Sequence, residues 1–277
     1  MSKNKLVAPF LKWVGGKRQI MPEIVKHLPE NIKTYIEPFI GGGAVLFYLQ
    51  PKKAIVNDFN SELINVYRVV KNNLEELIVD LQKHKNESDY FYKLRGVDRT
   101  DEFKKMTDIE KASRVIYLNK TCFNGLYRVN NSGEFNSPFG KYKNPNIVNE
   151  PTLRAVSYYL NENDIQLQNT DYEEIMKAAS KSSFIYLDPP YHPVSESSNF
   201  TGYIQGGWAI EDQVRLKKAC DELTKRGVNF LQSNSSADLI KAQYQDYIVC
   251  TVKANRSINS DGEKRGEVEE LLIKNYE

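Results

Sequence analysis

The residues Asp188-Pro189-Pro190-Tyr191 combine a carboxylate, a rigid turn and an aromatic ring. They follow the apolar run 184–187, which has the length and composition of a buried strand. Two successive prolines cannot continue a central strand, so the strand ends here in a stiff turn. Asp188 and the Pro189 carbonyl can each accept an N–H, while Tyr191 can stack on a ring. This set suits the exocyclic amine of a flat base, although an isolated motif of this kind can also be only a rigid loop.

A glycine-rich loop lies between another apolar run and the start of a helix. The strand-like residues 34–36 precede the glycine triplet 41–43, and the apolar residues 45–49 follow it. Glycine lets the backbone approach a ligand closely, and a helix N-terminus favours a carboxyl or phosphate group. Asp58, at the end of the next predicted strand, is placed to bind ribose hydroxyls. The triplet is not the GxGxxG of dinucleotide enzymes, and a tight turn explains it about as well.

Two further motifs carry weaker signals. Trp13 lies in a glycine turn bracketed by Lys12 and Lys17, and an ordinary basic turn with a buried tryptophan is the favoured interpretation of that segment alone. Asp171 and Tyr172 follow a third predicted strand. Asp171 could accept from a purine amine while Tyr172 stacks, but an aspartate that caps the next helix is equally ordinary.

The order of elements predicts an α/β protein with a Rossmann-like sheet. Apolar runs predict strands over residues 34–36, 54–58, 164–168, 184–187, 228–233, 247–253 and 268–275. Helical periodicity extends over residues 62–70, 74–84, 110–118 and 211–226, with Gly227 as a C-cap. We therefore predict a sheet domain formed by residues 1–58 and 161–277, interrupted by a mostly helical domain of residues 59–160.

The basic residues are clustered although the net charge is only +2. One of the clusters surrounds the stretch 122–133, which is rich in glycine, asparagine and aromatic residues and predicts a hairpin turn at 130–133. The three clusters are Lys3, Lys5, Lys12, Lys17 and Arg18; Lys120, Arg128, Lys141 and Lys143; and Lys253, Arg256, Lys264 and Arg265. A single cluster is most often a solvated face, but three that converge in space would form a phosphate-binding surface.

Composition excludes several classes of protein. The 277 residues are 40% hydrophobic, yet no apolar run is long enough to span a membrane. The first residues lack the features of a secretory signal, so we expect a cytoplasmic protein with reduced thiols. Cysteine and histidine spacing gives no zinc site; these residues are Cys122, Cys220, Cys250, His27, His84 and His192.

Taken in order, these motifs resemble the Dam/DpnM-type DNA adenine-N6 methyltransferases, the D12 class of the α-group amino-methyltransferases. The matching segments are FLKWVGGKRQ (10–19), YIEPFIGGGAV (35–45), VNDFNSELI (56–64), FNGLYRVNNSGEFNSPFGKYKNP (123–145), DPPY (188–191) and RSINSDGEKRGEVEELL (256–272). The resemblance runs nearly end to end. It implies a seven-stranded sheet that binds S-adenosylmethionine, with an inserted domain that recognises the DNA target.

The resemblance also implies roles for individual residues. The residues around S-adenosylmethionine would be Trp13, Lys17, Glu37, Phe39, Gly41, Gly43, Asp58, Asp171 and Tyr172. The turn Asp188, Pro189, Pro190 and Tyr191 would hold the target adenine. The residues facing DNA would be Lys12, Phe123, Asn124, Leu126, Arg128, Pro138 and Tyr142. The expected partner is double-stranded DNA methylated at GATC, with pairing to a restriction endonuclease as a further hypothesis and no metal required.

A mechanism follows from these roles. An adenine amine inside a duplex cannot reach a cofactor, so the base must be flipped out of the helix. Phe123 could then wedge into the gap that the base leaves behind. Two acceptors, Asp188 and the Pro189 carbonyl, favour an amine whose lone pair points at the methyl group, and the carboxylate stabilises the positive charge that develops. Arg128 is the expected reader of a guanine.

Two alternatives use the same motifs. Another amino-methyltransferase, acting on cytosine N4, RNA adenine or a glutamine amide, would also have a DPPY-like turn. A DNA-binding protein that senses S-adenosylmethionine without catalysis would keep the glycine loop. The inserted segment argues against a protein substrate, and the intact DPPY turn argues against loss of catalysis.

Overall fold

The computed structural model describes residues 3–192, 208–255 and 267–277. Its strands are β1 Thr34–Glu37, β2 Lys53–Asn57, β3 Asp164–Gln168, β4 Ser183–Leu187, β5 Asn229–Ser235, β6 Ile248–Asn255 and β7 Glu267–Lys274. Its α-helices are α1 Met21–Lys26, α2 Ala44–Leu49, α3 Ser61–Asn72, α4 Leu74–Leu81, α5 Ser88–Gly96, α6 Asp101–Lys105, α7 Asp108–Thr121, α8 Glu150–Glu162, α9 Tyr172–Ala178, α10 Ile210–Lys225 and α11 Asp238–Gln243. Among the described residues, no helix is long and apolar enough to cross a membrane.

The strands form one seven-stranded sheet in the order β3-β2-β1-β4-β5-β7-β6. The five strands from β3 to β5 are parallel, and β7 runs antiparallel between β5 and β6. All five residues of β4 are buried, as expected for a parallel strand covered on both faces. The chain order reverses between β1 and β4, and such a switch point is where open α/β sheets bind ligands. The predicted Rossmann-like α/β sheet is confirmed.

Every strand predicted from apolar runs is present, with ends that differ by one or two residues. The helices differ more. Helix α4 ends at Leu81 rather than at residue 84, and α7 begins at Asp108 rather than at residue 110. Thr107 caps α7 in a capping box with Glu110, a four-residue signal that periodicity alone overlooks. Helices α1, α5, α6, α8 and α11 were not predicted from the sequence.

Helices cover the sheet on both faces. The helices between β2 and β3 share one buried apolar cluster with β1, β2 and the residues before α1, and α3 and α8 both contact β3. The second cluster lies beneath α9, α10 and α11 against β4 and β5. Helix α7 is the most deeply buried of the inserted helices, and even its polar residues Arg114 and Asn119 are fully covered.

Candidate active site

The glycine loop (residues 41–43) and the DPPY turn (residues 188–191) lie at the same edge of the sheet. The loop follows β1 and the turn follows β4, and these strands are parallel neighbours in which Thr34 pairs with Ser183. Their carboxyl ends therefore lie side by side at the switch point. The sheet thus brings together two motifs that are about 150 residues apart in the sequence. Ligand sites of open α/β sheets are built at adjacent strand ends of this kind.

The glycine loop is held from both sides. Gly41 N donates to Asp58 Oδ2 at 3.0 Å, and the Tyr67 hydroxyl donates to Gly41 O at 2.9 Å. Gly41 and Gly43 have φ angles of 48° and 70°, in the left-handed region that favours glycine. A Cβ on Gly41 would lie 2.8 Å from the Trp13 indole. The triplet is therefore required by backbone conformation and by space.

Asn57, which the sequence analysis did not select, ties together the loops after three strands. Its side-chain amide donates to Pro38 O at 3.0 Å and to Thr170 O at 3.2 Å, and its Oδ1 accepts from Thr170 N at 2.9 Å. Asp58 beside it accepts from the backbone amides of Gly41 and Asn60. Burial raises the pKa of Asp58 to about 6 despite these hydrogen bonds.

Two carboxyl groups lie at the ends of β1 and β4. Glu37 is 2% exposed and accepts from the Tyr35 hydroxyl at 2.9 Å. Burial raises its pKa well above the usual range, and the neighbouring charge of Asp188 acts in the same direction. Burial also raises the pKa of Asp188 to about 6, while the Lys17 ammonium opposes this rise. With a pKa of about 6, Asp188 is mostly ionised at neutral pH.

Lys17 contacts the DPPY turn. Its Nζ lies 2.9 Å from Asp188 Oδ1, donates to Gly15 O, and lies 4.7 Å from the centre of the Tyr191 ring. The lysine side chain is only 4% exposed, so its charge is matched by the carboxylate rather than by water. The Lys17 ammonium thus joins the glycine turn of residues 15–16 to the carboxylate of the DPPY turn.

Two residues that the sequence analysis did not select hold the rest of the DPPY turn. The Tyr191 hydroxyl donates to Glu270 Oε2 on β7 at 2.8 Å. Gln213 of α10, which is fully buried, donates to Pro190 O at 3.0 Å. The Pro190 carbonyl is thus used within the protein, one residue beyond the Pro189 carbonyl expected to accept an amine. No local signal marks either residue, because both contacts depend on packing between distant elements.

Three aromatic rings form a group at the ends of β1 and β3. Phe39 lies 5.2 Å from Tyr172 and 5.7 Å from Trp208 between ring centres. The Tyr172 hydroxyl and the Trp208 Nε1 are buried, and neither has a hydrogen-bond partner among the described residues. Buried polar atoms of this kind normally have partners, so these two atoms are available to a bound molecule. Trp208 is a further residue that sequence patterns did not indicate.

Asp171 has structural partners already. Its two carboxylate oxygens accept from the Arg215 guanidinium at 2.9 and 2.8 Å, and Oδ1 also accepts from Glu173 N at the start of α9. The helix-capping interpretation of Asp171 therefore holds, with Arg215 as an added bidentate partner. Arg215 also lies over the Tyr172 ring, 5.0 Å from its centre.

The predicted hairpin turn is present. Val129 and Phe135 form an antiparallel bridge, and Gly133 closes the turn with a φ angle of 81°. In this hairpin of residues 126–136, Arg128 donates through Nε to Asn136 Oδ1 at 2.6 Å and through Nη2 to Asn136 O at 3.2 Å. The Arg128 guanidinium therefore has a defined orientation.

An exposed polar and aromatic surface surrounds the hairpin. Phe123 is 54% exposed, and its backbone amide donates to the carbonyl of Pro138, which is also exposed. Lys12 lies over the Tyr142 ring at 4.7 Å, while Asn119 holds the Lys12 backbone through two hydrogen bonds. The expected DNA-facing residues are thus neighbours, with Asn124 exposed and Leu126 half-buried on the same segment.

Lys12 and Arg18 of the first basic cluster lie near Lys120 of the second. Burial, together with the nearby charges of Lys12 and Arg18, lowers the pKa of Lys120 to about 8. Arg256, Lys264 and Arg265 of the third cluster, with the motif segment 256–266, lie outside the described residues. Among the residues that the structure describes, no three His, Cys, Asp or Glu side chains are grouped as a metal site would require.

Known proteins share this sequence over nearly its full length. A family model described as D12 class N6 adenine-specific DNA methyltransferase matches residues 13–258. The chain belongs to this class. It is 44% identical over 279 residues to the Type II methyltransferase M1.LlaDCHI of Lactococcus lactis subsp. cremoris, covering 100% of this chain and 98% of the relative.

Two further relatives agree with this assignment. The D12-class chain is 42% identical over 294 residues to the Type II methyltransferase M.MjaIII of Methanocaldococcus jannaschii, covering 98% of this chain and 99% of the relative. It is 34% identical over 277 residues to the DNA adenine methylase of Escherichia coli K12, covering 98% and 95%. The methyltransferase is thus an enzyme that acts on N6 of adenine in DNA, and its class implies S-adenosylmethionine as the methyl donor.

Proposed function

We propose that this methyltransferase modifies the adenine of GATC in double-stranded DNA, after flipping that base into the DPPY turn. The observation that carries the proposal is the position of Asp188. This carboxylate lies at the switch point of the sheet, next to the Tyr191 ring and across from the glycine loop. A carboxylate placed there can accept from an exocyclic amine while an aromatic face receives the base.

The described residues fit S-adenosylmethionine at three points. The close backbone of the glycine loop suits its amino-acid end, and Asp58 suits the ribose hydroxyls, because each carboxylate oxygen can accept more than one hydrogen bond. The group of Phe39, Tyr172 and Trp208 suits the adenine ring, and it includes two buried polar atoms without partners among the described residues. Bound there, S-adenosylmethionine supplies an electrophilic methyl group.

The protein's own residues then prepare the amine. Lys17 pairs with Asp188 Oδ1, so we assign Oδ2 to the first N–H of the target amine and the Pro189 carbonyl to the second. Both acceptors favour a nitrogen whose lone pair is free to attack. As positive charge develops on that nitrogen, the ionised Asp188 stabilises it from a preorganised position. Lys17 keeps the carboxylate oriented.

We assign residues 59–160 to target recognition and residues 1–58 and 161–277 to catalysis. Phe123 supports this assignment because it is exposed beside the hairpin, where it can enter the gap left by a flipped base. Unstacking a base costs about a few kcal/mol, and stacking on Tyr191 offsets part of that cost. Arg128 is assigned to a guanine of GATC, and the lysines near it to phosphates.

The names of the relatives support a role in restriction–modification. Two of the relatives reported above are named Type II methyltransferases. We propose that this enzyme likewise protects its own sites from a restriction endonuclease, which would cut the same sequence when it is unmethylated.

The test is transfer of a tritiated methyl group to duplexes that contain GATC or one of its single substitutions, followed by nucleoside analysis. We expect N6-methyladenine from GATC only, and at least about 100-fold less from Asp188→Ala, the usual effect of losing one preorganised electrostatic group. N4-methylcytosine as the product, methylation of RNA, or equal methylation of all duplexes would contradict the proposal.

A further inference from the structure

A buried charged group lies inside the proposed recognition region. Arg114 of α7 is fully buried, and its Nη2 lies 2.7 Å from Asp98 Oδ2. Its Nη1 lies 3.6 Å from Glu62 Oε1, a distance that makes an ion pair but no hydrogen bond. The guanidinium also donates to the carbonyls of Leu94 and Arg95. Arg114 thus joins α3, α5 and the turn after α5.

One side of this group holds the far strand of the hairpin. Asp98 Oδ2, which pairs with Arg114, also accepts from Phe135 N at 2.8 Å. Arg99 next to it donates to Phe135 O at 2.9 Å and pairs with Glu134. These contacts attach the strand opposite Arg128 to the buried charges.

The other side of the group leads to the glycine loop through Tyr127. The Tyr127 hydroxyl donates to Glu62 Oε2 at 3.0 Å, and its ring stacks on Trp13 with centres 5.0 Å apart and planes 25° apart. Trp13 in turn covers the loop, since a Cβ on Gly41 or Gly42 would lie within 3.0 Å of it. Tyr127 is 3% exposed and belongs to the hairpin that carries Arg128.

We propose that Tyr127 is a positioning residue. Through it, a cofactor bound at the glycine loop strengthens sequence-specific DNA binding by the hairpin. The proposal rests on the proposed function. A molecule that fills the glycine loop must contact or displace Trp13, and in a close-packed interior that change reaches the stacked Tyr127 ring. The hydroxyl then transmits it to Glu62 and Arg114, which hold the hairpin. Binding linkage is reciprocal, so bound DNA would also strengthen cofactor binding.

The experiment measures the dissociation constant of a GATC duplex with and without S-adenosylhomocysteine, the product left after methyl transfer. For the unmodified enzyme we expect the cofactor product to tighten DNA binding about 5-fold or more, the lower end of typical coupling. Tyr127→Leu removes ring and hydroxyl and should bring this ratio to about 1. Tyr127→Phe keeps the stack but loses the Glu62 contact, and should lower the ratio by at least about half.

The matched control is Tyr158→Leu, a tyrosine of α8 that is 66% exposed and should leave the ratio unchanged. A purely structural role for Tyr127 would weaken DNA binding equally with and without the cofactor product, and that result would overturn the proposal. A ratio of 1 in the unmodified enzyme would also overturn it. If Tyr127→Leu does not fold, an unchanged ratio in Tyr127→Phe decides against it.

The failure of this inference can be told from failure of the proposed function. N6-methyladenine formation in GATC is measured on the same preparation of unmodified enzyme. If the unmodified enzyme methylates GATC but the ratio is unchanged in both Tyr127 variants, only the proposed role of Tyr127 is overturned. Absence of methylation and of preferential GATC binding overturns the proposed function, and the inference with it.

Discussion

At the scale of single residues, the environment of Asp188 combines two opposing effects. Burial disfavours its charge, while Lys17 at 2.9 Å favours it. The result is a carboxyl with a pKa of about 6, ionised at neutral pH but close enough to its titration to respond to mild acid. Burial likewise raises the pKa of Glu37 above its usual range, and the charge of Asp188 acts in the same direction.

The first prediction is a pH dependence that belongs to Asp188. The amine requires an ionised acceptor. The single-turnover rate of methylation at saturating S-adenosylmethionine should therefore rise with pH, reach half its maximum near pH 6 and level off above it. Saturation with cofactor removes the contribution of Asp58, whose pKa is also about 6. Asp188→Asn keeps an oxygen acceptor but cannot titrate, so its lower rate should lack this midpoint. A flat profile between pH 5 and 8 in the unmodified enzyme would refute the assignment.

The second prediction concerns Glu270 as a positioning residue for Tyr191. Glu270→Leu removes the acceptor of the Tyr191 hydroxyl, and loss of a hydrogen bond to a charged group should slow methylation by about tenfold or more. Tyr191→Phe removes the same bond and should slow the reaction to a similar degree, without further loss in the double variant. The rate is measured under single-turnover conditions.

A shift of the pH midpoint separates positioning from a general structural effect. Because the Glu270 charge raises the pKa of Asp188, Glu270→Gln should move the midpoint of the pH profile downward while it retains an acceptor for Tyr191. A normal rate and an unmoved midpoint in the Leu and Gln variants would show that Glu270 has no part in the site.

At the scale of elements, the 126–136 hairpin presents Arg128 in a fixed direction. Two donors of its guanidinium are engaged by Asn136, and the opposite strand is attached to Asp98 and Arg99. A side chain that is oriented before binding loses less freedom when it contacts a base. The hairpin therefore has the rigidity that sequence readout requires, whereas contact with phosphates requires only charge.

The third prediction tests which of these two roles Arg128 has. If Arg128 reads a base, Arg128→Ala should reduce discrimination at one guanine by about 1–3 kcal/mol, up to about 100-fold. The assay is methylation of GATC and its single substitutions at two salt concentrations. The control is Lys141→Ala, an exposed neighbour expected to weaken every duplex equally and to flatten the salt dependence by about one charge. The same uniform loss in Arg128→Ala would make it a phosphate contact.

At the scale of the whole molecule, the sheet and the inserted helices share one buried cluster, and the charged group of Arg114 lies within the inserted part. Breaking a buried pair from one side leaves the other charge unmatched. The stability of the inserted helices therefore depends on a polar contact as well as on apolar packing. The same group is hydrogen-bonded to the hairpin through Asp98.

The fourth prediction follows from that dependence. Arg114→Met removes the closer ion-pair partner of the buried Asp98, which then keeps only the 3.5 Å pair with Arg99. It should lower the free energy of unfolding by about 3–5 kcal/mol, measured by urea denaturation. Arg154→Met is the control, because Arg154 makes ion pairs with Glu75 and Glu150 that are exposed to water, and its effect should be much smaller. If Arg114→Met lowered the free energy of unfolding by no more than the small effect of Arg154→Met, the Arg114 group would not stabilise the protein.

Local signals in the sequence determined the strands, the glycine loop and the DPPY turn. An apolar run that ends in two prolines specifies a buried strand and its end without reference to any other part of the chain. The same holds for the hairpin turn at 130–133 and for the capping of α9 by Asp171. The ordered motifs were also sufficient to indicate the D12 class, which the comparisons confirm.

Only the tertiary structure decided which side chains meet. Tyr191 and Glu270 are 79 residues apart, and the strand that carries Glu270 enters the sheet in antiparallel register beside β5. Arg215 reaches Asp171 across 44 residues, and Tyr127 reaches Glu62 across 65. Sequence periodicity reports which face of an element is buried, but partners between distant elements depend on sheet order and helix packing. For that reason the sequence did not indicate the ion pair between Lys17 and Asp188, which only the folded chain shows.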